Sequence, residues 1–289
     1  MPAYYKITDA VRPAEERGLS LGRSVLIDEC EESRLDEQTV FDKMKKQLLV
    51  MRQAVEDASK PEVKGPLYYG DAYKIKQGIE KGVIPNDMTA RAVQKAIAVN
   101  GWNSLSGKVV ATPTGGSCGI LPGVLLAAQE EWGCSDDDVV YAMFAGAGMG
   151  IPIAYNGTLS GSVGGCQAEC GSASAMAAAA LVDLRGGSPK QCADAFAIAC
   201  KASLGLICDP IGTVSCPCVK RNGMFAAVAI SAAYMALSGV ESIIPPDEML
   251  MAFCSVSLEV AKKFNKLEYR VGVQTTPFAM NLDPKATHH

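Results

Sequence analysis

Residues 156–180 have the sequence NGTLSGSVGGCQAECGSASAMAAAA, which is the strongest indication of how the chain folds. Its first half is a polar, Gly-rich turn that leads to Cys166, and its second half consists almost entirely of small residues. Because small side chains let neighbouring helices approach closely, an alanine-rich helix from Ala168 to Leu184 fits the interior of a bundle. Gly186 and Gly187 end that helix. The stretch predicts a compact helical bundle in which Gly-rich loops reach inward to a site.

The sequence on either side predicts further helices. Apolar residues recur at helical spacing from Glu37 to Lys60. Other helices are predicted at Asp87–Asn100, Pro122–Trp132, Asp136–Met149, Pro189–Leu204, Met224–Leu237 and Pro246–Phe264. Alternation typical of strands is confined to Lys108–Ala111 and Arg270–Gln274. We therefore predict an all-α domain over residues 37–264, preceded by an N-terminal arm (1–36) and followed by a C-terminal tail (265–289).

Composition excludes several classes of partner. The chain has 289 residues, a net charge of −4 and no cluster of Lys and Arg, so a nucleic-acid partner is not expected. Two uncharged stretches, Val139–Ala168 and Asn222–Val240, are long enough to span a membrane. Glycines and a proline interrupt the first and alanine dominates the second, which favours buried core helices over membrane spans.

Cysteine is plentiful and histidine is nearly absent. The chain has 11 cysteines, and its two histidines are His288 and His289, which we interpret as the remnant of a purification tag. No histidine is then available for a Ser-His-Asp site or a zinc site. The charged N-terminus lacks an apolar signal segment, so we expect a cytoplasmic protein whose thiols are core residues, metal ligands or catalysts rather than disulfides.

Three short segments near predicted helix boundaries contain four cysteines of interest, and the first segment also contains Cys170. The segments are GGCQAECG with Cys166, LGLICDPIG with Cys208, and SCPCVKRN with Cys216 and Cys218. Loops let thiolates converge on a metal and leave backbone N–H groups free to bond cluster sulfide. Other cysteines are interpreted as small core residues: Cys30, Cys134, Cys192, Cys200 and Cys254. No CxxC pair occurs, so spacing alone identifies no cluster type.

Two Gly-rich turns are candidates for binding an anion. They are TPTGGSCG (residues 112–119) and YNGTLSGSVGG (residues 155–165). At helix N-termini such turns present N–H groups to a carboxylate or phosphate. Close helix packing through small residues explains the same glycines equally well. Neither turn has the spacing of a P-loop or of a dinucleotide-binding motif.

The order GGCQAE, CDP, PCVKRN resembles the α chain of the iron-sulfur-dependent L-serine dehydratases. GDAYK (residues 70–74) and ATPTGGSCGILPG (residues 111–123) match as well, and the resemblance extends over roughly residues 70–249. It implies an all-helical α domain in which three cysteines hold a 4Fe-4S cluster whose fourth iron is open to substrate. The ligands carry over to Cys166, Cys208 and Cys218, with Cys216 as a possible substitute for Cys218.

The resemblance also implies a reaction and a partner. L-serine would lose its β-hydroxyl to the open iron, which acts as a Lewis acid, and yield pyruvate and ammonia. Candidates for the base are Lys74, Lys220, Glu169 and Asp209, and candidates for binding the substrate are Thr112, Thr114, Ser117, Asn156 and Ser160. In these enzymes a separate β chain, or a fused β domain, completes the site.

Three other functions remain open at this point. A desulfidase would release sulfide from L-cysteine, and the additional thiols Cys118, Cys170 and Cys216 fit that chemistry. A second alternative is a cluster-bearing subunit that is inactive without a β chain. The third is a pyridoxal-phosphate lyase, which would require a Schiff-base lysine facing TPTGGSCG, and Lys108 is the candidate.

Overall fold

The computed structural model describes residues 4–209, 211, 216–264 and 271–281. These residues form helices and no strand, which confirms the all-α prediction. In chain order the helices are α1 Ile7–Arg17, α2 Leu21–Ser33, α3 Glu37–Ala58, α4 Asp71–Glu80, α5 Met88–Ser104, α6 Ile120–Trp132, α7 Asp136–Asn156, α8 Gly161–Cys166, α9 Ser172–Leu184, α10 Pro189–Ser203, α11 Cys216–Leu237, α12 Pro246–Phe264 and α13 Pro277–Met280. A π-helical turn, Gln167–Gly171, joins α8 to α9, and a 3-10 turn, Gly272–Thr275, precedes α13.

Side-chain caps fix several helix starts where the sequence predicts them. Asp36 accepts a hydrogen bond from the Thr39 amide at the start of α3, and Asp87 accepts one from Ala90 at the start of α5. Ser188 and Gln191 bond each other's backbone amides at the start of α10. Each cap satisfies N–H groups that the first helical turn leaves without a partner.

The strand predictions are wrong for the described residues. Lys108–Ala111 has no strand partner, and residues 272–275 form the 3-10 turn instead; Arg270 lies outside the described residues. A strand needs a neighbouring chain to satisfy its backbone groups, and among the described residues only an isolated bridge between Gly65 and Tyr68 forms.

Helices α7 and α11 extend furthest beyond their predicted bounds. Helix α7 continues through Pro152 to Asn156, because burial of Ile151, Pro152 and Ile153 in the core outweighs the backbone hydrogen bond that proline removes. Helix α11 begins at Cys216 rather than Met224. Pro217 is its second residue, a position whose N–H has no partner within the helix, so the proline is tolerated there.

The core is centred on α9. Every residue from Ser172 to Asp183 is buried, and the helix packs against α6, α7, α10 and α11. Its alanines leave room for these four neighbours, as the sequence predicts. The π-helical turn and the cysteine of α8 lie directly before this rigid central helix, so the fold holds that end of the bundle firmly.

The first 36 residues contain more structure than an arm. Helices α1 and α2 bury Ile7, Leu21 and Val25 in the same hydrophobic core as α9. The division of the chain at residues 36 and 264 stays a prediction, but residues 7–33 contribute to the core that supports the site.

One described helix, α7, is long and apolar enough to cross a membrane by length and composition. In the structure 72% of its apolar window is buried within the protein. A buried core helix accounts for its composition.

Asp183, at the end of α9, is expected to make stability depend on pH. Burial raises the pKa of its carboxyl group from 3.8 to about 6, although the Gly22 amide donates to it. Since the folded state favours the protonated form, this contribution is full below about pH 4 and is lost as the pH rises through about 6. The shift corresponds to about 3 kcal/mol. Urea unfolding of the wild-type protein and of Asp183→Asn should show this loss in the wild type only; equal pH profiles would contradict it.

Candidate active site

Three segments bring Cys166, Cys208 and Cys218 to one end of the bundle. Cys166 is the last residue of α8, Cys208 lies in the loop after α10, and Cys218 lies in the first turn of α11. The thiols are close enough for the charge of Cys166 to raise the pKa of both others. The Cys216 side chain lies outside the described residues.

These thiols differ in how readily they ionise. A hydrogen bond from Cys170, assisted by the guanidinium of Arg221, lowers the pKa of Cys166 to about 7. Burial raises the pKa of Cys208 to about 11 and that of Cys218 to about 12. Because the thiolate is the metal-binding form, Cys166 is the thiol best prepared to bind iron, and the others would release protons as they bind.

The donor set fits an iron-sulfur cluster better than a single ion. Within the described residues, no group of three or more His, Cys, Asp or Glu is arranged to hold one metal ion. In a cluster each thiolate binds a different iron, so its ligands are spaced more widely than those of one ion. The Cys166, Cys208 and Cys218 thiols interact electrostatically with one another, and a set of three thiolates suits an iron-sulfur cluster.

Glu169 lies between the two Gly-rich turns. It belongs to the π-helical turn, and its carboxylate accepts a hydrogen bond from Thr114 Oγ1 at 2.6 Å. A Cβ atom added at Gly116 or at Gly161 would lie 2.5 Å from the Glu169 carboxylate. Thr114 Oγ1 also lies 3.1 Å from Ser117 Oγ. A side chain at either glycine would displace the Glu169 carboxylate from its position, so the two glycines leave room for it and the two turns border one site.

Asparagine side chains hold the TPTGGSCG turn in place. Asn100 Nδ2 donates to the Gly116 carbonyl at 2.9 Å, and Asn222 Nδ2 donates to the same carbonyl at 2.8 Å. Asn222 also accepts from the Gly119 amide and donates to the Cys218 carbonyl at 2.9 Å. Neither asparagine is among the predicted site residues, although Asn222 ends the PCVKRN segment. Asn222 links the turn directly to the cysteine of α11.

The predicted substrate-binding residues occupy different surroundings. Thr112 and Ser117 are buried, and Thr112 Oγ1 donates to the Cys118 carbonyl at 3.3 Å. The side-chain amide of Asn156 donates hydrogen bonds to the carbonyls of Tyr5 and Pro152, at 2.7 and 2.8 Å. Ser160 is half-buried, with its hydroxyl 2.9 Å from that of Ser162. Thr114 and Ser117 are the members of the set next to Glu169.

The candidate bases are also separated. Lys74 is exposed on α4, and Lys220 pairs with Asp71 at 2.5 Å. Asp209 is buried, pairs with Arg221 at 2.8 Å and accepts from the Val273 amide at 3.0 Å. Unlike the other three candidate bases, Glu169 lies among the Gly-rich turns. Its charge also acts on the thiols of Cys166, Cys208 and Cys218.

Two further residues that sequence reasoning missed hold the loop that contains Cys208. Gln167 accepts a hydrogen bond from the Gly205 amide at 2.6 Å and donates to the Phe253 carbonyl at 2.6 Å. Arg221 donates to the Ile207 carbonyl at 3.1 Å. Gln167 directly follows Cys166, and Arg221 lies three residues after Cys218. This closeness in sequence to candidate ligands is the signal that could have identified both residues.

The lysine required by a pyridoxal-phosphate enzyme is poorly placed. Lys108 is exposed, and its segment forms no strand. The surroundings of this lysine therefore give no support to a Schiff-base site.

Comparisons with known proteins agree with the geometry. The sequence profile of the family described as "Serine dehydratase alpha chain" matches residues 16–271. The "Probable L-serine dehydratase, alpha chain" of Bacillus subtilis (strain 168) is 36% identical over 285 residues, which cover 98% of this chain and 95% of that protein. The "L-serine dehydratase, alpha chain" of Peptoniphilus asaccharolyticus is 37% identical over 252 residues, 83% of this chain and 84% of that protein. The "L-serine dehydratase 1" of Escherichia coli (strain K12) is 44% identical over 144 residues, 49% of this chain and 32% of that protein. The chain therefore belongs to the serine dehydratase alpha chain family.

Proposed function

We propose that this chain is the cluster-binding subunit of an enzyme that eliminates water from L-serine and yields pyruvate and ammonia. The observation on which the proposal rests is the meeting of three thiols with Glu169, which lies between two Gly-rich turns. The names of the relatives supply the substrate.

In this proposal Cys166, Cys208 and Cys218 hold a 4Fe-4S cluster, with Cys216 as the alternative to Cys218. The cluster, when bound, supplies an open iron that acts as a Lewis acid on the β-hydroxyl of the substrate. Cys166 is buried, and Cys208 and Cys218 are partly buried, which limits the access of water and oxygen to the metal.

The protein groups around the thiols bind and orient the amino acid. The hydroxyls of Thr114 and Ser117 and the backbone N–H groups of the 112–119 turn suit the carboxylate, because the turn leads into the N-terminus of α6. The Glu169 carboxylate could bind the ammonium group of the substrate or act as the base that removes the proton from Cα. Since Lys220 is paired with Asp71 and Lys74 is exposed, we assign the direct contact with substrate to Glu169.

A separate β chain is part of the proposal. Relatives that align along most of their length are named alpha chains, whereas this chain matches 32% of the Escherichia coli protein. Because the relatives matched along most of their own length are named alpha chains, we infer that a β chain completes the site, and that both chains act in the cytoplasm. Affinity purification of this chain from its own cells should recover that β chain.

Desulfidation of L-cysteine is the second candidate function. The additional thiols Cys118 and Cys170 favour it, and the Cys170 thiol interacts with Cys166 through a hydrogen bond. Sulfur-rich surroundings suit a substrate thiol as well as they suit the cluster.

Substrate preference can be measured on the anaerobically reconstituted complex of both chains. Pyruvate release from L-serine and sulfide release from L-cysteine are followed in parallel, with D-serine as the control. We expect a higher kcat/KM for L-serine. A higher kcat/KM for L-cysteine would replace the dehydratase proposal by the desulfidase.

A further inference from the structure

We infer that Arg221 is a positioning residue that fixes the Cys208 loop in register with Cys166 and Cys218 before any metal binds. The inference builds on the proposed cluster site, but the geometry that supports it belongs to the protein alone. Arg221 lies three residues after Cys218 on α11, and its side chain is about one-fifth exposed.

The guanidinium contacts both residues that flank Cys208. Its Nη1 donates to the Ile207 carbonyl at 3.1 Å, and its Nη2 lies 2.8 Å from Asp209 Oδ1. It also lies close enough to the Cys166 sulfur to interact with it electrostatically. One side chain of α11 therefore joins the Cys208 loop to the cysteine of α8.

The first half of the same loop has a different anchor. The side-chain oxygen Oε1 of Gln167 accepts a hydrogen bond from the Gly205 amide at 2.6 Å. The backbone N–H of Gln167 donates to the Leu206 carbonyl at 3.2 Å. Gln167 thus holds residues 205 and 206, and Arg221 holds residues 207 and 209. Gln167 directly follows Cys166, and Arg221 lies three residues after Cys218. Each of the other two candidate ligands is therefore close in sequence to a residue that holds the Cys208 loop.

Arginine is suited to this role and lysine is not. The planar guanidinium presents five N–H donors in a fixed fork, so it can bond a carbonyl, a carboxylate and a sulfur at once. A lysine ammonium has a similar charge but a single nitrogen, which cannot occupy the positions of both Nη1 and Nη2. A positioning role therefore predicts that Arg221→Lys fails to restore the loop, whereas a purely electrostatic role predicts that it succeeds.

Hydrogen exchange of the apo chain, read by mass spectrometry, tests the inference without the cluster. In Arg221→Gln and Arg221→Lys the backbone amide of Val273, which donates to Asp209 Oδ2 at 3.0 Å, should exchange about tenfold faster or more, because the Asp209 carboxylate loses the guanidinium that fixes it. Residues 205 and 206, which Gln167 still holds, provide the internal reference, and Arg12→Gln on the exposed face of α1 provides the control variant. Iron uptake during reconstitution should fall in both Arg221 variants.

The outcomes separate the two proposals. Unchanged exchange at Val273 in both variants, or wild-type exchange at Val273 in Arg221→Lys, overturns the positioning role. If Arg221→Gln does not fold, Arg221→Lys alone decides the matter, since it keeps the buried positive charge. Failure of the wild-type chain to bind iron would refute the proposed function and leave the exchange result intact.

Discussion

Replacing Glu169 with glutamine is expected to lower kcat/KM for L-serine by about 10²–10⁴-fold in the reconstituted complex of both chains. Glutamine keeps the Oε1 atom that accepts from Thr114 at 2.6 Å, so the two Gly-rich turns should stay in place. What the substitution removes is the negative charge that would bind the ammonium group or take the Cα proton. Steady-state pyruvate formation, with kcat and KM resolved separately, measures the effect.

The matched control is Glu16→Gln, whose side chain is 70% exposed on α1, far from the thiols in sequence. The Glu169 variant should bind as much iron as the wild type, because the carboxylate is not a proposed ligand. A fall in kcat without a rise in KM would favour the proton-transfer role, and a rise in KM alone would favour ammonium binding. Wild-type kcat and KM in Glu169→Gln would remove Glu169 from the site.

Alanine in place of Cys166, Cys208 or Cys218 is expected to lower pyruvate formation by at least about 10³-fold. The reason is that each substitution removes a ligand of the group that supplies Lewis-acid chemistry, which contributes several kcal/mol to the transition state. The measurement is the rate of pyruvate formation from L-serine in the complex, under anaerobic conditions.

Cys134→Ala is the control for these cysteine variants. Cys134 is partly exposed near the start of α7 and belongs to none of the three segments. Its loss should leave the rate unchanged. Full activity in any one of the three ligand variants would show that the corresponding cysteine is not a ligand, and for Cys218 it would direct attention to Cys216.

Much of the fold follows from local sequence. The caps at Asp87 and Ser188 and the apolar spacing after Glu37 are contained in a few neighbouring residues, so they predict helix starts directly. The start of α11 is harder to predict from the sequence, because a proline such as Pro217 breaks a helix unless it lies in the first turn.

The candidate site was only partly predictable. The cysteine segments and the Gly-rich turns are visible in the sequence itself, and a resemblance over several motifs selects the ligands, whereas the connections between these segments depend on long-range contacts. Asn222 bonds Gly116, and Arg221 bonds Ile207, through side chains whose partners no local pattern specifies. The same holds for Thr114 and Glu169, which are 55 residues apart in the chain. Such pairs become visible only when packing has brought the segments together.

The central claim is that Cys166, Cys208 and Cys218 hold one 4Fe-4S cluster, and iron content tests it most directly. The purified chain is reconstituted anaerobically with iron and sulfide, desalted, and assayed for iron per chain and for broad absorbance near about 400 nm, alongside the three alanine variants and Cys134→Ala. We predict about four irons per chain in the wild type and in Cys134→Ala, and loss of this iron in each of the other three variants. A wild-type chain that binds no iron, or ligand variants that keep all of it, would contradict the account.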